Sequence, residues 1–189
     1  LCQNVFASSF VRKSNPVHAI FDAWDNFLQF PDNKNIEPEL NVAYTELRDH
    51  STLWVTNSKK NIEFFSSQFG VEKMELIKNG VDFELFQTSY AIPDDMVPIP
   101  RPIIGFGGKL SHLLDYELYN KCLEAHPDKS FVIVGQKLNE EVFNKINKTN
   151  NFFYLGDKHY SQYPSYVTHF DVGIIPYVNN HLDSGADRI

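Results

Sequence analysis

"RPIIGFGGKLSHLLDYELYNKCLEAHPDKSFVIVG", residues 101–135, decides the fold class. It opens with an apolar run, "RPIIGFGG", that ends in glycines. "YELYNKCLEAHP" then places its apolar residues along one face of a helix, and "SFVIVGQ" is a second strand-like run. A strand, a helix and a strand of these lengths form a βαβ unit, whose strands pair in parallel.

The same alternation extends outward on both sides. Toward the amino end, "VHAIFDAW" (17–24) reads as a short buried strand ending in acids. "EPELNVAYTELRDH" (37–50) reads as a helix, with Pro38 just inside its start and Leu40, Ala43, Tyr44 and Leu47 at helical spacing. "STLWVTNS" (51–58) is strand-like, Ser58 stands where a helix N-cap belongs, "KKNIEFFSSQFG" is the helix that Gly70 closes, and "MELIKNG" is a further strand. Toward the carboxyl end come a helix in "NEEVFNKINKT", a strand in "NFFYLGD", a short helix in "YPSYVTHF" and a strand in "DVGIIPY". Apolar strands between helices suit a sheet covered on both faces. The expected class is therefore α/β, with two Rossmann-like parallel-sheet domains. Prolines between positions 93 and 102 mark a linker, which sets domain boundaries at 1–92 and 103–189. Just before it, in "IKNGVDFELF" (77–86), Asn79-Gly80 tolerates positive φ, so a sharp turn is expected there.

Composition narrows the function classes. The 189 residues are 42% hydrophobic and 14% aromatic, enough for a sizeable core. A net charge of −7 argues against a nucleic-acid partner held by bulk charge and suits a cytoplasmic protein. Cys2 and Cys122 form no disulfide framework and no C-x-x-C. No apolar run approaches the roughly 18 residues of a membrane span, and no signal peptide is legible. The chain starts at Leu1 and stops at "GADRI"; it reads as a piece of something longer, with both domains incomplete.

In open parallel sheets ligands bind at the carboxyl ends of the strands. After the 101–106 strand stand Gly107, Gly108 and Lys109. Glycines allow close backbone approach, a following helix offers free N–H groups and the lysine adds positive charge, a combination suited to a diphosphate. A dinucleotide fingerprint fails, because Leu110 takes the third glycine position and no acid ends "SFVIVGQ". A phosphate-loop motif, H-E-x-x-H, a metal cluster and G-x-S-x-G are all missing. In "FDAWDNF", Asp22 and Asp25 lie at a strand end, where they serve as base, ligand or merely a solvated terminus. His159 follows Gly156-Asp157-Lys158 at another strand end, whereas His169 falls on a helix and reads as structural.

Three stretches in this order, "LWVTNSKKNIEFFSSQFGVEKMELIKNGVDFELF", residues 101–135 and "NFFYLGDKHYSQYPSYVTHFDVGIIPY", resemble the GT-B glycosyltransferases of the group 1, or family 4, type. The resemblance implies an acceptor-side domain over 1–92 and the start of a nucleotide-sugar-binding domain over 103–189. It implies a transferase of polysaccharide biosynthesis that moves sugar from a UDP-, GDP- or similar nucleotide sugar to a glycan or lipid-linked acceptor, with retention. No cofactor, metal or nucleic acid is expected, and the longer protein would work in the cytoplasm or peripherally at the inner face of the membrane. Donor-binding positions would be Gly107, Gly108, Lys109, Gly156, Asp157, Lys158, Pro176, Tyr177 and Arg188. Asp22, Asp25, Asn79 and Gly80 would face the interdomain cleft. The family's catalytic carboxylates would follow Ile189, so the catalytic residues stay unassigned and the 189 residues alone would be inactive. One departure stands out: Leu113, Leu114 and Asp115 occupy the place of the family's second basic residue. That weakened clamp keeps two alternatives open, a non-catalytic GT-B-like binding or scaffold subunit and a sugar-nucleotide epimerase of the same fold.

Overall fold

Helix α2 (Glu37–His50) shows how the first part of the chain organises itself. Acids Glu37 and Glu39 sit in its first turn with Pro38, and Arg48 and His50 in its last, all matched to the helix dipole. Its buried stripe is Leu40, Ala43, Tyr44 and Leu47, as the spacing predicts. The computed structural model describes residues 1–178, which divide into two compact units, the first over Leu1–Val81 and the second from Asp82 onward. Besides α2, the first unit contains α1 (Ser8–Ser14), β1 (Ile20–Asp22), β2 (Leu53–Thr56), α3 (Lys59–Phe69) and β3 (Met74–Leu76). Its strands form a parallel sheet in the order β1-β2-β3, with Phe21 beside Trp54 and Trp54 beside Met74. Ser58 caps α3 by accepting from the Lys60 N–H at 3.2 Å, and Gly70 ends that helix at φ 67°. The core is aromatic: the Trp54 ring lies 4.7 Å from Phe21, and Tyr44 lies 4.9 Å from Phe65.

Cys2 adds a parallel bridge outside β1. Its N–H donates to the Ile20 carbonyl, and its own carbonyl accepts from the Asp22 N–H, both at 2.8 Å. The residue after it, Gln3, is thereby carried to the carboxyl edge of the sheet.

The second unit runs through α4 (Phe83–Gln87), β4 (Ile103–Gly107), α5 (Tyr116–Ala125), β5 (Ser130–Val134), α6 (Glu140–Asn144), β6 (Phe152–Tyr154), α7 (Tyr163–Val167) and β7 (Val172–Gly173). Its sheet is also parallel, in the order β6-β5-β4-β7. Every residue of β5 is buried, and its side chains alternate between two cores. Phe131 and Ile133 pack with Phe106, Tyr119 and Leu123; Val132 and Val134 pack with Ile103, Met96, Ile99 and Tyr166.

Two readings of the 77–102 region change. Neither Asn79 nor Gly80 has a positive φ, so no left-handed turn forms. The chain leaves β3 without a hairpin and enters α4 under Asp82, whose carboxylate accepts from the Leu85 N–H at 3.1 Å. Residues 93–102, expected as a linker, belong to the second unit: Met96 and Ile99 are buried in its core, and Arg101 pairs with Asp171. Apolar side chains between the prolines tie this stretch down. Among the described residues no helix is long and apolar enough to cross a membrane.

The buried hydroxyl of Tyr119 has no hydrogen-bond partner in the protein. Tyr119→Phe removes that unmet group at little cost in volume, so denaturant unfolding should show a gain of about 1 kcal/mol. A second prediction concerns Asp171, which accepts from the Ile103 N–H at 2.6 Å and from the Arg101 guanidinium. The backbone bond first, and then Arg101, hold its carboxyl below the usual carboxylate range. Folding therefore favours the ionised form. That stabilisation is complete above the unfolded carboxyl value of about 3.9 and is lost as pH falls through the lower folded value. Thermal melts of Asp171→Asn should consequently lose less stability than the parent between about pH 4.5 and the acid limit of the native state.

Candidate functional site

Parallel pairing gathers strand ends at one edge of each sheet, and several residues singled out in the sequence lie there. At the first sheet a cleft of about 630 Å³ is lined by Gln3, Asp22, Trp24, Asp25, Asn57 and Asn79. It brings together three of the four residues that the resemblance assigns to a cleft, Asp22, Asp25 and Asn79; Gly80 follows in the chain as an exposed residue. β1 ends at Asp22, and one of its carboxylate oxygens accepts from Gln3 Nε2 at 3.0 Å. The Trp24 indole N–H donates to the Gln3 carbonyl at 3.2 Å. Asn57, just past β2, donates from Nδ2 to Asn79 Oδ1 at 3.3 Å. Its own Oδ1 is buried and has no protein partner. Below the cleft, Thr56 Oγ1 donates to the Ala23 carbonyl at 2.8 Å and Tyr44 accepts from the Phe27 N–H at 3.1 Å. Burial pushes the Tyr44 phenol up, and the nearby Asp25 carboxylate adds to the shift.

Sequence reasoning missed Gln3, Trp24 and Asn57. A signal existed for two of them. Trp24 stands between the two singled-out acids, and Asn57 sits between the end of a strand and a helix cap, where parallel sheets present their ligands. Gln3 had none, because its place depends on the bridge at Cys2.

The carboxyl edge of the second sheet is crowded with backbone. Gly108 donates its N–H to the Val134 carbonyl at 2.9 Å, and Gly135 donates to the Gly156 carbonyl at 2.8 Å. A Cβ placed on Gly135 would meet the Gly108 carbonyl oxygen at 1.9 Å, and one on Gly107 would meet the Tyr163 hydroxyl at 1.8 Å. These close approaches are made by the protein itself. No helix directly follows the glycines: α5 starts at Tyr116, and Asp115 already caps it by accepting from the Leu118 N–H at 2.9 Å. Lys109 is exposed on the connecting loop.

The 156–158 turn lies beside this edge, with Gly156 at φ 77°. Asp157 Oδ1 accepts from the Lys158 N–H at 3.0 Å. The Lys158 side chain is turned to Asp95, 2.8 Å away, and lies 4.8 Å from the centre of the Tyr166 ring. Burial pulls the Lys158 ammonium down, but the Asp95 and Tyr166 contacts outweigh it and raise the pKa overall. Pro176 is buried, its carbonyl accepting from the Asp115 N–H at 2.8 Å, and Tyr177 packs edge-on to Phe106. The Tyr163 phenol, also missed from the sequence, is pushed up by burial and then by neighbouring Tyr177. His159 Nδ1 lies 2.8 Å from Ser161 Oγ. His169 follows α7 rather than lying within it, and its Nε2 meets the Tyr90 carbonyl at 3.1 Å. Arg188 lies outside the described residues.

No protein-family model matches the chain. Over 112 residues, 57% of its length, it is 30% identical to the Bacillus subtilis (strain 168) protein named "Putative teichuronic acid biosynthesis glycosyltransferase TuaH". The match spans 28% of that relative's own length.

Gly135 is the position on which the second edge turns, since its φ of 148° and the Gly108 carbonyl both exclude a side chain. Gly135→Ala should destabilise the protein by at least about 2 kcal/mol. Amide exchange should rise first at Gly108 and Leu110, the neighbours whose N–H bonds cross this edge.

Proposed function

We propose that this chain is part of a glycosyltransferase of the GT-B, family 4 type, which moves a sugar from a nucleoside-diphosphate sugar to a glycan or lipid-linked acceptor. The observation that carries the reading is the 30% identity to a protein named as a glycosyltransferase. Two parallel sheets with polar residues at their carboxyl edges agree with it.

In this reading the donor diphosphate meets Gly107, Gly108 and Lys109. The base meets the turn at Gly156, Asp157 and Lys158, and Pro176 and Tyr177 close the donor side. The acceptor meets the cleft of Asp22, Asp25 and Asn79. The bond from the anomeric carbon to the diphosphate oxygen breaks, and the acceptor hydroxyl oxygen bonds to that carbon with retention. The hydroxyl proton passes to the departing diphosphate, which leaves as nucleoside diphosphate. Lys109 stabilises the charge that gathers on the leaving group. Neither a metal nor a cofactor enters this scheme.

One observation favours a second reading, a binding or scaffold subunit without catalysis. Asp115 and Glu117 place carboxylates at the start of α5, where a diphosphate-binding helix would offer free N–H groups. Calorimetry separates the two. Nucleoside diphosphate should bind, and Lys109→Ala should weaken binding by about 1.5–3 kcal/mol, a roughly 10- to 150-fold rise in Kd. Lys121→Ala, an exposed lysine on α5, should leave it unchanged. Equal affinity in the parent and Lys109→Ala rules out the lysine clamp, and no binding to either leaves the scaffold reading.

A further inference from the structure

The cleft of the first unit is rich in acceptor oxygens and poor in unused donors. Asn57 is 7% exposed, its amide N–H reaches Asn79, and its Oδ1 is closed to solvent, so it shapes the cleft without offering a ligand that oxygen. Asp22 adds a carboxylate whose partner, Gln3, is a neutral amide on one oxygen only. No lysine or arginine is among the lining residues.

Beside these oxygens stands Trp24, 45% exposed. Its indole N–H is bound to the Gln3 carbonyl, and its ring meets Phe27 edge-on at 6.1 Å and 88°. Phe27 is braced in turn by Phe6 at 6.0 Å. The indole is thus held in one orientation, with its polar atom already satisfied and much of its surface open. A fixed aromatic surface next to hydrogen-bond acceptors fits a ligand with an apolar face and a rim of hydroxyls.

We infer that this cleft is a subsite for an uncharged, hydroxyl-rich sugar ring, which lies on Trp24 and donates hydroxyl protons to the Asp22 carboxylate. This rests on the glycosyltransferase reading and gives its acceptor a chemical class. A sugar carrying a carboxylate would add like charge beside Asp22 and supply one fewer donor. The subsite therefore selects a neutral ring over a uronate.

The test uses the full chain, with neutral methyl glycosides (glucoside, galactoside and N-acetylglucosaminide) and methyl glucuronide as probes. Binding is read by tryptophan fluorescence and by saturation-transfer NMR. Trp54 is buried in the core, so a ligand-dependent emission change reports on Trp24. At least one neutral glycoside should bind about tenfold more tightly than the glucuronide. Trp24→Phe should abolish the emission response and weaken binding seen by NMR. Asp22→Asn should narrow the preference for the neutral glycoside over the glucuronide to about threefold or less, because it removes the carboxylate that repels a uronate. Failure of every neutral glycoside to bind, or binding of the glucuronide as tightly as the best of them, overturns the inference. So does an Asp22→Asn variant that keeps the full preference for the neutral glycosides. Nucleoside-diphosphate calorimetry on the same sample keeps the two levels apart. If nucleotide binds and no glycoside does, the subsite fails and the transferase reading stands. If a glycoside binds and no nucleotide does, the subsite survives as a lectin-like site and the transferase reading fails.

Discussion

Parallel pairing is the constraint from which the rest follows. Strands that run the same way collect their carboxyl ends at one edge, and each connection must return across a face of the sheet. In the second unit this is most complete at β5, where all of Ser130–Val134 is buried and the strand pairs with β4 on one side and β6 on the other. With both faces of β5 committed to core, polar chemistry is left to the loops at the edge. Those loops are bonded to one another, Gly108 to Val134, Gly135 to Gly156 and Asp115 to Pro176. A site built there stands on a rigid floor, even though its residues come from separated parts of the chain.

The two edges offer different chemistry. The first presents side-chain oxygens and one braced indole around a cleft. The second presents backbone, with glycines where backbone and phenol come close and the exposed Lys109 beside them. Side-chain oxygens suit hydroxyl donors, whereas a lysine beside a glycine-lined edge suits phosphate oxygens. This contrast agrees with the division between acceptor and donor proposed for the transferase. It comes from sequence differences at strand ends alone, since both sheets use the same parallel pairing.

Much of the fold was legible because its signals are local. The stripe on α2, the Ser58 cap and the Gly70 stop each depend on residues a few positions apart, and each is found where the spacing predicts. The 93–102 stretch misled because proline density signals a connector, while the burial of Met96 and Ile99 is decided by Tyr166 and β5, far along the chain. Gly107 and Gly108 were legible as positions of close approach, but what approaches was not. Tyr163 and Gly135 fill that role, and no local pattern links them to the glycines. In the first unit Asp22 and Asp25 were singled out from their place at a strand end and Asn79 through the resemblance, and the three line one cleft. Gln3 required the isolated bridge at Cys2, which has no periodicity to read.

The missing second basic residue has a structural explanation that bears on any diphosphate clamp. Leu114 is buried and bridges to Tyr177, and the Leu113 carbonyl accepts from the Val178 N–H at 2.7 Å. Asp115 caps α5 and donates its own N–H to Pro176. All three positions thus hold the β4–α5 loop against the segment after β7, and Leu114 could not become lysine without burying a charge at a cost of several kcal/mol. Positive charge at this edge must therefore come from outside the 113–115 segment. Among the residues singled out there, Lys158 is turned to Asp95, whereas Lys109 is exposed. The backbone N–H groups of Gly108, Leu110 and Gly135 are already bonded to protein carbonyls, so a clamp built on Lys109 relies on its ammonium and on how rigidly the glycine-lined edge is held.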